Sequence, residues 1–492
     1  MSDREKREKC AGDRKTVFRV SWNCAAELLL LLVTIFLLFF FVIIVLHFTF
    51  SPTNLSSCLP RPLSVSASLS SPATVAVPPP ETETGNGVVK RGFNGFGSAA
   101  YNFILMSAYR GGYDTFAVMG LASKPLHVFG QPSYVCEWVP AEGGSVSVAG
   151  VKILPDWGYG RVYTAVVINC TFPVSVGETG VGGKLLIHAA TNGGGDSEFN
   201  VTDTFTAMTE TPRDFAGFVS GFSLEPRYDY LYCGSPLFGN LSPQRIREWL
   251  AYHVRFFGKK AHFVIQDAGG VHPAVMEVLR PWMELGYVTL QDIREEERFD
   301  GFYHNQFLVL NDCLHKYRFS AKWMFFFDVD EFIFVPKKSS LPAVLRSLSE
   351  YTQFTIEQMP MSAKLCLRED SGKTSRRWGF EKLVYKDVKT GIWRDRKYAV
   401  QPRNVIATGI HMSENTTAGS KTTHQTEGRI MYYHYHGAIA QRNEPCRQFV
   451  NATSLTVDDV PYLLDTTMRR IAQFVKKFEL ETIGNVLQNT HQ

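Results

Sequence analysis

The distribution of apolar and polar residues divides the chain into stretches of different texture. Leu28 to Phe50 is an apolar run that only Thr34, His47 and Thr49 interrupt. A helix of this length crosses the roughly 30 Å of hydrocarbon in a bilayer. The pattern therefore predicts one transmembrane helix over residues 28–50, and a cleaved signal peptide is the alternative.

The charges beside this run predict its orientation. A basic group precedes it and has no counterpart after it: Arg4, Lys6, Arg7, Lys9, Arg14, Lys15 and Arg19. The positive-inside rule places residues 1–27 in the cytosol and the chain after residue 50 in a lumen. The sequons agree with lumenal exposure, because all of them follow the run, at Asn54, Asn169, Asn200, Asn240, Asn415 and Asn451.

Cysteine usage is compatible with an oxidising lumen. Two of the nine cysteines precede the apolar run, and seven follow it: Cys58, Cys136, Cys170, Cys233, Cys313, Cys366 and Cys446. Spacing alone does not give their pairing. Because seven is odd, at least one is free or pairs between chains, which leaves a homodimer open.

The next two stretches lack a helical pattern. Residues 51–92 begin with a segment rich in Pro, Ser and Thr and predict an extended stem. Residues 93–225 contain short β-rich apolar runs separated by glycine turns, and we find no convincing amphipathic helix in them. They predict an all-β domain, a β-sandwich.

From residue 226 to residue 492 strand and helix patterns alternate. Tyr228–Cys233 predicts a first strand, and Ser242 followed by Pro243 predicts the start of a helix that Gly258 ends. Trp323–Asp328 is a nearly uninterrupted apolar strand of the buried type. The alternation predicts an α/β domain with a mainly parallel sheet, in which ligands bind at the carboxyl ends of the strands.

One strand end carries the strongest chemical signal. Asp328, Asp330 and Glu331 follow five apolar residues within four positions. Burying unpaired carboxylates costs several kcal/mol each. Three of them at the end of a core strand therefore predict a hard divalent cation with oxygen ligands. The alternative is an acidic turn that faces solvent.

An apolar anchor, a stem and an Asp-x-Asp at a strand end resemble a nucleotide-sugar glycosyltransferase of the GT-A fold. The details resemble glycosyltransferase family 92 over about residues 226–475, in these pieces: Tyr232–Gly239, Ala261–Asp267, Asn311–Leu314, Lys322–Phe332, Lys397–Pro402 and His434–His436. The whole layout is similar to the plant members of that family that are galactan β-1,4-galactosyltransferases.

The resemblance implies UDP-galactose as the donor, a β-1,4-galactan acceptor, Mn²⁺ as the metal and inversion at the anomeric carbon. It also implies a fold class: an N-terminal transmembrane helix and stem, an all-β domain, and an α/β GT-A-type transferase domain. The expected location is the Golgi membrane, as a single-pass type II protein with a lumenal catalytic domain.

The metal ligands follow from the acids and a late histidine pair. We predict Asp330 as the first ligand, and Asp328 as a contact of the ribose or of the metal and its water. Glu331 would orient either of them. His434 aligns with the His of the family's His-Tyr-Arg and is the preferred further ligand. His436 stands where Arg is commoner, so either His436 contacts the phosphate or the assignment of His434 is wrong.

The nucleotide site is expected beside the first two strands. Asp267 is placed to accept the uracil N–H, or it is a plain turn residue before Gly269. Ser235 and Pro236 are expected to line the base. Arg403 is a candidate phosphate contact.

A displacement at the sugar carbon needs one base to take the proton of the acceptor. Leu367–Asp370 resembles the x-Glu-Asp element of inverting GT-A enzymes, which implies Asp370 as the base and Glu369 as the second choice. The alternative is a solvated charged loop.

The β-rich domain resembles a carbohydrate-binding module, with these aromatic residues as candidates for stacking on sugars: Trp138, Trp157, Tyr159 and Tyr163. Two alternatives for the whole chain remain. One is the same machinery with another donor or acceptor, such as an arabinose donor or a protein glycan. The other is a membrane-anchored polysaccharide-binding protein without catalysis. The net charge of +4 gives no case for nucleic-acid binding.

Overall fold

The computed structural model describes residues 32–34, 36, 81–96, 103–123, 131–155, 162–192, 203–299, 303–388, 396–413, 415–437 and 444–490. Residues Met1–Thr74 form one compact unit and Val75–Gln492 another. All the elements named below lie in the second unit.

The strands up to residue 233 are β1 (Glu81–Glu83), β2 (Val88–Arg91), β3 (Asn94–Phe96), β4 (Phe103–Arg110), β5 (Thr115–Ser123), β6 (Gln131–Pro140), β7 (Val146–Ile153), β8 (Tyr163–Thr171), β9 (Gly183–Asn192), β10 (Asp203–Glu210) and β11 (Tyr228–Cys233). The later strands are β12 (Ala261–Asp267), β13 (Val288–Asp292), β14 (Ala321–Phe326), β15 (Glu331–Phe334), β16 (Gln353–Pro360), β17 (Leu365–Leu367), β18 (Tyr385–Asp387), β19 (Lys397–Val400), β20 (Val405–Ala407), β21 (Asn415–Thr416), β22 (Thr422–Thr423), β23 (Met431–His434), β24 (Gln448–Val450), β25 (Ser454–Val457) and β26 (Val460–Leu464). The α-helices are α1 (Pro212–Ser223), α2 (Pro243–Phe257), α3 (Pro273–Glu284), α4 (Gln306–Lys316), α5 (Leu341–Ser347), α6 (Gly379–Lys382) and α7 (Thr467–Ile483).

The structure corrects the prediction of an N-terminal transmembrane helix. Among the described residues, no helix is long and apolar enough to cross a membrane. A crossing needs about 20 helical residues. Within the predicted span the described helical residues are Leu32, Val33, Thr34 and Phe36, and the other positions lie outside the described residues. The predicted fold class, which began with this helix, is therefore wrong.

Strands β3–β10 form one antiparallel sheet in the order β10-β9-β6-β7-β8-β5-β4-β3. The two ends of the sheet approach each other, because Phe205 of β10 stacks on Phe96 of β3, with 4.3 Å between the ring centroids. The result is a single curled sheet around its own apolar core, where a sandwich of two sheets was expected.

Part of the outer face of this sheet is also buried, as strand β4 shows. Along β4, Phe103 and Leu105 point into the curled core, whereas Ile104 and Met106 share a second core with Phe307, Leu308 and Val309 of α4. Successive side chains of a strand point to opposite faces, so a strand buried on both faces is apolar throughout. The β-rich domain thus packs directly on the α/β part.

The α/β part is built on a mixed sheet in the order β1-β2-β13-β12-β11-β14-β19-β16-β23-β15. Strands β2, β13, β12, β11 and β14 pair in parallel. Beyond β14 the next two pairings, with β19 and then β16, are antiparallel. The described chain is strand-rich, and this mixed order does not confirm the GT-A part of the predicted fold class.

Three further elements differ from the sequence interpretation. Helix α1 lies in the range expected to lack helices; Thr211 caps it by accepting a hydrogen bond from Asp214 N in a capping box. Strands β1 and β2 lie in the range expected to be stem, and β2 pairs with β13.

Three disulfides cross-link this unit, Cys136–Cys170, Cys233–Cys313 and Cys366–Cys446. The seventh cysteine after the apolar run, Cys58, lies outside the described residues.

Candidate active site

The three acids lie on a short turn between β14 and β15. We call residues 328–331 the acid turn; β14 ends at Phe326 and Glu331 opens β15. Helix α2 holds this turn and the start of β15 in place. Trp249 Nε1 donates a hydrogen bond to the Glu331 carbonyl at 2.9 Å, and the Tyr252 hydroxyl donates one to the Ile333 carbonyl at 2.7 Å. The predicted strand end and the predicted helix therefore meet.

Asp328 is held by two side chains from distant parts of the chain. Lys397 Nζ donates to its Oδ2 at 2.7 Å, and Ser235 Oγ donates to its Oδ1. Burial acts to raise the pKa of Asp328, but the charge of Lys397 and these hydrogen bonds outweigh it and lower the pKa. Asp328 is thus an ionised carboxylate with a built-in counter-charge.

Glu331 differs from Asp328 although the same lysine faces it. Its Oε1 is 3.8 Å from Lys397 Nζ, and its Oε2 accepts the backbone N–H of Asp328 at 2.7 Å. Burial, which is the dominant effect, raises the pKa of Glu331 to about 8. The carboxyl group of Glu331 therefore stabilises the turn, because it accepts a hydrogen bond from the backbone N–H of Asp328.

Asp330 faces a histidine pair. Its Oδ1 is 3.6 Å from His434 Nε2, and its Oδ2 accepts the backbone N–H of Gly437 at 2.9 Å. Gln358 hydrogen-bonds Nδ1 of His434, which leaves Nε2 turned toward the carboxylate. The ring of His436 lies 5.2 Å from that of His434 and is exposed.

Asp330, His434 and His436 fit a metal ion. One ligand atom from each lies within 4.8 Å of the others, and a carboxylate with imidazoles suits first-row divalent cations. The neighbouring acids also attract positive charge. Although burial acts to lower the pKa of His434, the contacts with Asp330 and Glu331 raise it. The structure brings the predicted ligands Asp330 and His434 together, with His436 beside them. Their roles as metal ligands, and that of His436 as a phosphate contact, stay predictions.

Ser235 and Pro236 follow β11 at the carboxyl end of the parallel strands, as expected for residues of a nucleotide site. Ser235 Oγ accepts a hydrogen bond from Gln306 Nε2 at 2.7 Å and donates its own hydrogen bond to Asp328 Oδ1. Pro236 is buried beside it. The start of helix α4 is therefore linked to the acid turn through one hydroxyl group.

Asp267 ends β12, opposite Asp292 of β13. Its Oδ1 accepts the backbone N–H groups of Gly269 (2.9 Å) and Val271 (3.0 Å). This is the turn role that the sequence left as the alternative. The role of Asp267 with uracil stays a prediction.

Arg403 has partners away from the acid turn. Its guanidinium donates to the carbonyls of Gly221, Phe222 and Leu224 at the end of α1. Cations are favourable at helix C-termini. The structure does not bring Arg403 to the other predicted site residues.

Asp370 and Glu369 lie on a single helical turn after β17 and differ in exposure. Asp370 is fully buried and pairs with Arg469, at 2.8 and 2.9 Å, and with Arg377 at 2.9 Å. The Glu369 side chain is 69% exposed and lies 3.3 Å from Arg469. Of the two, Glu369 is the carboxylate that an acceptor hydroxyl can reach without displacing an arginine.

Of the aromatic residues proposed for sugar stacking, the two that the structure describes are buried. Trp138 is buried and stacks on Phe116 in the curled core, and Tyr163 packs edge-on against Phe299. Trp157 and Tyr159 lie outside the described residues.

Sequence reasoning missed Lys397, Gln306 and Gln358. Lys397 had a local signal, because a buried lysine opens the otherwise apolar strand β19. Gln306 and Gln358 have no such signal, since their partners Ser235 and His434 are remote in the sequence.

Comparison with known proteins gives consistent results. The model of glycosyltransferase family 92 matches residues 228–471. Galactan beta-1,4-galactosyltransferase GALS2 of Arabidopsis thaliana is 61% identical over 409 residues, which cover 82% of this chain and 78% of that protein. GALS3 of the same plant, which carries the same description, is 52% identical over 99% of both chains. Beta-1,4-galactosyltransferase galt-1 of Caenorhabditis elegans is 25% identical over 48% of this chain and 57% of that protein.

Proposed function

The chain belongs to glycosyltransferase family 92 and is a hexosyltransferase, and from this premise we propose that it moves galactose from UDP-galactose to the non-reducing end of β-1,4-galactan. The main support for this proposal is the acid turn, where Lys397 balances the charge of Asp328 and Asp330 faces His434 and His436. Relatives named as galactan galactosyltransferases that align over most of the chain support the galactan acceptor.

The proposed metal is Mn²⁺, held by Asp330 and His434, with His436 as the third side chain. When bound, a divalent cation supplies positive charge that stabilises the negative charge growing on the leaving diphosphate. Lys397 keeps Asp328 ionised, and Ser235 fixes its orientation. Asp328 then offers its carboxylate to a ribose hydroxyl.

The proposed base is one of two adjacent carboxylates, and their contacts favour Glu369 over Asp370. A base must accept a proton from the acceptor hydroxyl. Both oxygens of Asp370 already accept hydrogen bonds from Arg469. Glu369 is exposed and has one weaker contact.

The proposed location is the Golgi lumen. Three disulfides join six cysteines of the folded unit. Disulfides form and persist in oxidising compartments such as the secretory pathway.

The test is a transfer assay with the purified full chain, UDP-galactose, a galactan oligosaccharide and Mn²⁺. We expect product longer by galactose units with new β-1,4 linkages. Parallel assays with a UDP-arabinose donor or a protein-glycan acceptor cover the related transferases. Hydrolysis or transfer with another pair, and none with UDP-galactose and galactan, contradicts the proposal.

A further inference from the structure

Helix α2 carries two buried arginines that differ in their partners. Arg247 donates from Nε and Nη2 to the two carboxylate oxygens of Glu479, at 2.8 and 2.5 Å. Arg245 donates from Nη1 alone to the two oxygens of Glu248, at 3.1 and 3.2 Å. Its Nε and Nη2 are buried and have no hydrogen-bond partner among the described residues. Arg245 therefore has donors left for a further group.

Unpaired donors of this kind call for an explanation. The large majority of buried polar atoms in proteins are hydrogen-bonded, and an arginine cannot give up its charge when it is buried. A buried ion pair is often no more stabilising than apolar residues of similar volume. The incomplete pairing of Arg245 therefore indicates a partner that the chain does not itself supply.

A small cavity lies beside Arg245 and the acid turn. Its volume is about 20 Å³, whereas a single water molecule needs about 10–15 Å³. Arg245 and Asp330 both line the cavity, and the other described lining residues include Val329, Gly379 and Tyr435. The cavity is therefore large enough for a water molecule and too small for a sugar or a nucleotide.

The lining supplies the polar partners that a buried water requires, which are commonly about three. Arg245 offers N–H donors. Asp330 offers a backbone carbonyl that accepts the N–H of Tyr435 at 3.0 Å and, like other carbonyls, has a second lone pair. Glu248 also lines the cavity and is a further acceptor. A water in this position can therefore join the guanidinium to the acid turn.

Helix α6 fixes the position of the guanidinium. Gly379, the first residue of α6, donates its backbone N–H to Glu248 Oε2 at 2.6 Å. A Cβ atom added to Gly379 would overlap Nη1 of Arg245. The guanidinium therefore packs directly on the backbone of α6, and a side chain at position 379 would displace it.

We propose that Arg245 is a positioning residue of the acid turn: through one water molecule in this cavity, its guanidinium holds Asp330 in the orientation that faces the histidine pair. The proposal rests on the proposed function, in which Asp330 binds the metal. It adds a second link between α2 and the acid turn, beside the direct hydrogen bonds of α2 to backbone carbonyls.

Two lysine substitutions on the same helix test this role. Arg245→Lys and Arg247→Lys both keep the positive charge beside a buried glutamate, so both variants are expected to fold with similar, small losses in thermal midpoint. In Arg245→Lys we expect Mn²⁺, titrated in the presence of UDP, to bind at least fivefold more weakly. Its kcat should fall at least tenfold, and its KM for galactan should change less than twofold. Arg247→Lys should keep all three values within twofold of the parent.

A substitution at Gly379 tests the same contact from helix α6. Gly379→Ala displaces the guanidinium of Arg245, so its kcat should fall as far as that of Arg245→Lys. The double variant should lose no more than the worse single variant, because residues that act through one contact are not additive. The matched control is Gly217→Ala on α1, where an added Cβ meets open space. Additive losses in the double variant overturn the proposal.

A high-resolution crystal structure of the full chain tests the water itself. We expect density for one water within hydrogen-bond distance of Arg245 and of an oxygen of the acid turn. A dry cavity overturns the proposal. Equal effects of Arg245→Lys and Arg247→Lys on kcat and Mn²⁺ affinity also overturn it, because Arg245 would then be only structural. If the parent needs no Mn²⁺ or uses another donor, the proposed function fails, and the density and the kcat of the two lysine variants with that donor still decide the role of Arg245.

Discussion

Two carboxylate sites in the folded unit differ in their burial and in the groups that surround them. At the first, which we call the junction, Asp312 of α4 accepts hydrogen bonds at Oδ1 from Arg91 (2.6 Å), Ser107 (2.6 Å) and Tyr109 (2.9 Å). At the second, the acid turn, Lys397 faces both Asp328 and Glu331. Asp330 instead faces His434 and an exposed His436.

The difference separates a structural carboxylate from a functional one. Asp312 is fully buried, and its Oδ1 accepts hydrogen bonds from three side chains. Asp330 keeps 12% of its side chain exposed and adjoins imidazole nitrogens that can bind a further cation. The junction fastens the curled sheet to helix α4, whereas the acid turn is completed by a ligand.

The largest expected effect is on catalysis at the acid turn. Asp330→Asn removes a charge that the proposed metal site needs, so transfer should fall at least a thousandfold, which is about 4 kcal/mol. Rates of galactan extension check this, and the thermal midpoint should move by only about 2 °C or less. The control is Glu350→Gln, which breaks an exposed pair with Lys421. Activity within tenfold of the parent removes Asp330 from the catalytic centre.

At the junction we expect a large loss of stability and an unchanged affinity for UDP. Asp312→Asn leaves Arg91 buried without its counter-charge, and breaking a buried pair costs about 3–5 kcal/mol. Urea unfolding measures the loss, for which Glu350→Gln again serves as a control with an expected effect of at most about 1 kcal/mol. Under conditions where the variant stays folded, its affinity for UDP should match the parent. A destabilisation below about 1 kcal/mol would mean that the junction does not fasten the two parts.

Glu296 is a further buried carboxyl group for this comparison, because its Oε2 accepts a hydrogen bond from Asn305, whereas Asp312 accepts one from Arg91. Its pKa in the folded state is about 7, above the ordinary value near 4.3. The folded state therefore holds a proton that the unfolded state has lost, and stability falls as pH rises from about 4.3 to about 7. Thermal midpoints from pH 5 to pH 8 should fall more for the parent than for Glu296→Gln, by the equivalent of about 1–3 kcal/mol. Equal slopes contradict this pKa.

The smallest effect is expected at Arg403. Its contacts with the end of α1 predict that Arg403→Ala lowers stability by about 1 kcal/mol. The KM for UDP-galactose should change less than threefold. A tenfold rise in that KM with unchanged stability would restore Arg403 as a phosphate contact.

Local signals in the sequence predicted local structure well. Ser242 and Pro243 do begin α2, and Gly258 caps its end. The acids do follow a buried strand, and the second half of the chain does alternate strands and helices from β11 to β14. Helix α1 also had a local signal, Thr211 and Asp214 in a capping box, which the glycine-rich surroundings obscured.

Contacts between remote residues could not be predicted in this way. Lys397 lies 69 positions from Asp328, and Arg91 lies 221 positions from Asp312. The prediction of a metal ion at these acids stays untested, and the cation that the structure places beside Asp328 is Lys397 of the chain itself. The same limit applies to β2, whose four residues join the mixed sheet only through the remote strand β13.

Titration of Mn²⁺ into the full chain in the presence of UDP tests most directly whether Asp330 and the histidine pair form the catalytic metal site. We expect one Mn²⁺ per chain, binding at least a hundredfold weaker in Asp330→Asn and in His434→Ala, and unchanged binding in Glu350→Gln. Transfer should stop with EDTA and return when Mn²⁺ is restored. A parent that extends galactan at full rate in EDTA, or an Asp330→Asn variant that binds Mn²⁺ as tightly as the parent, contradicts it.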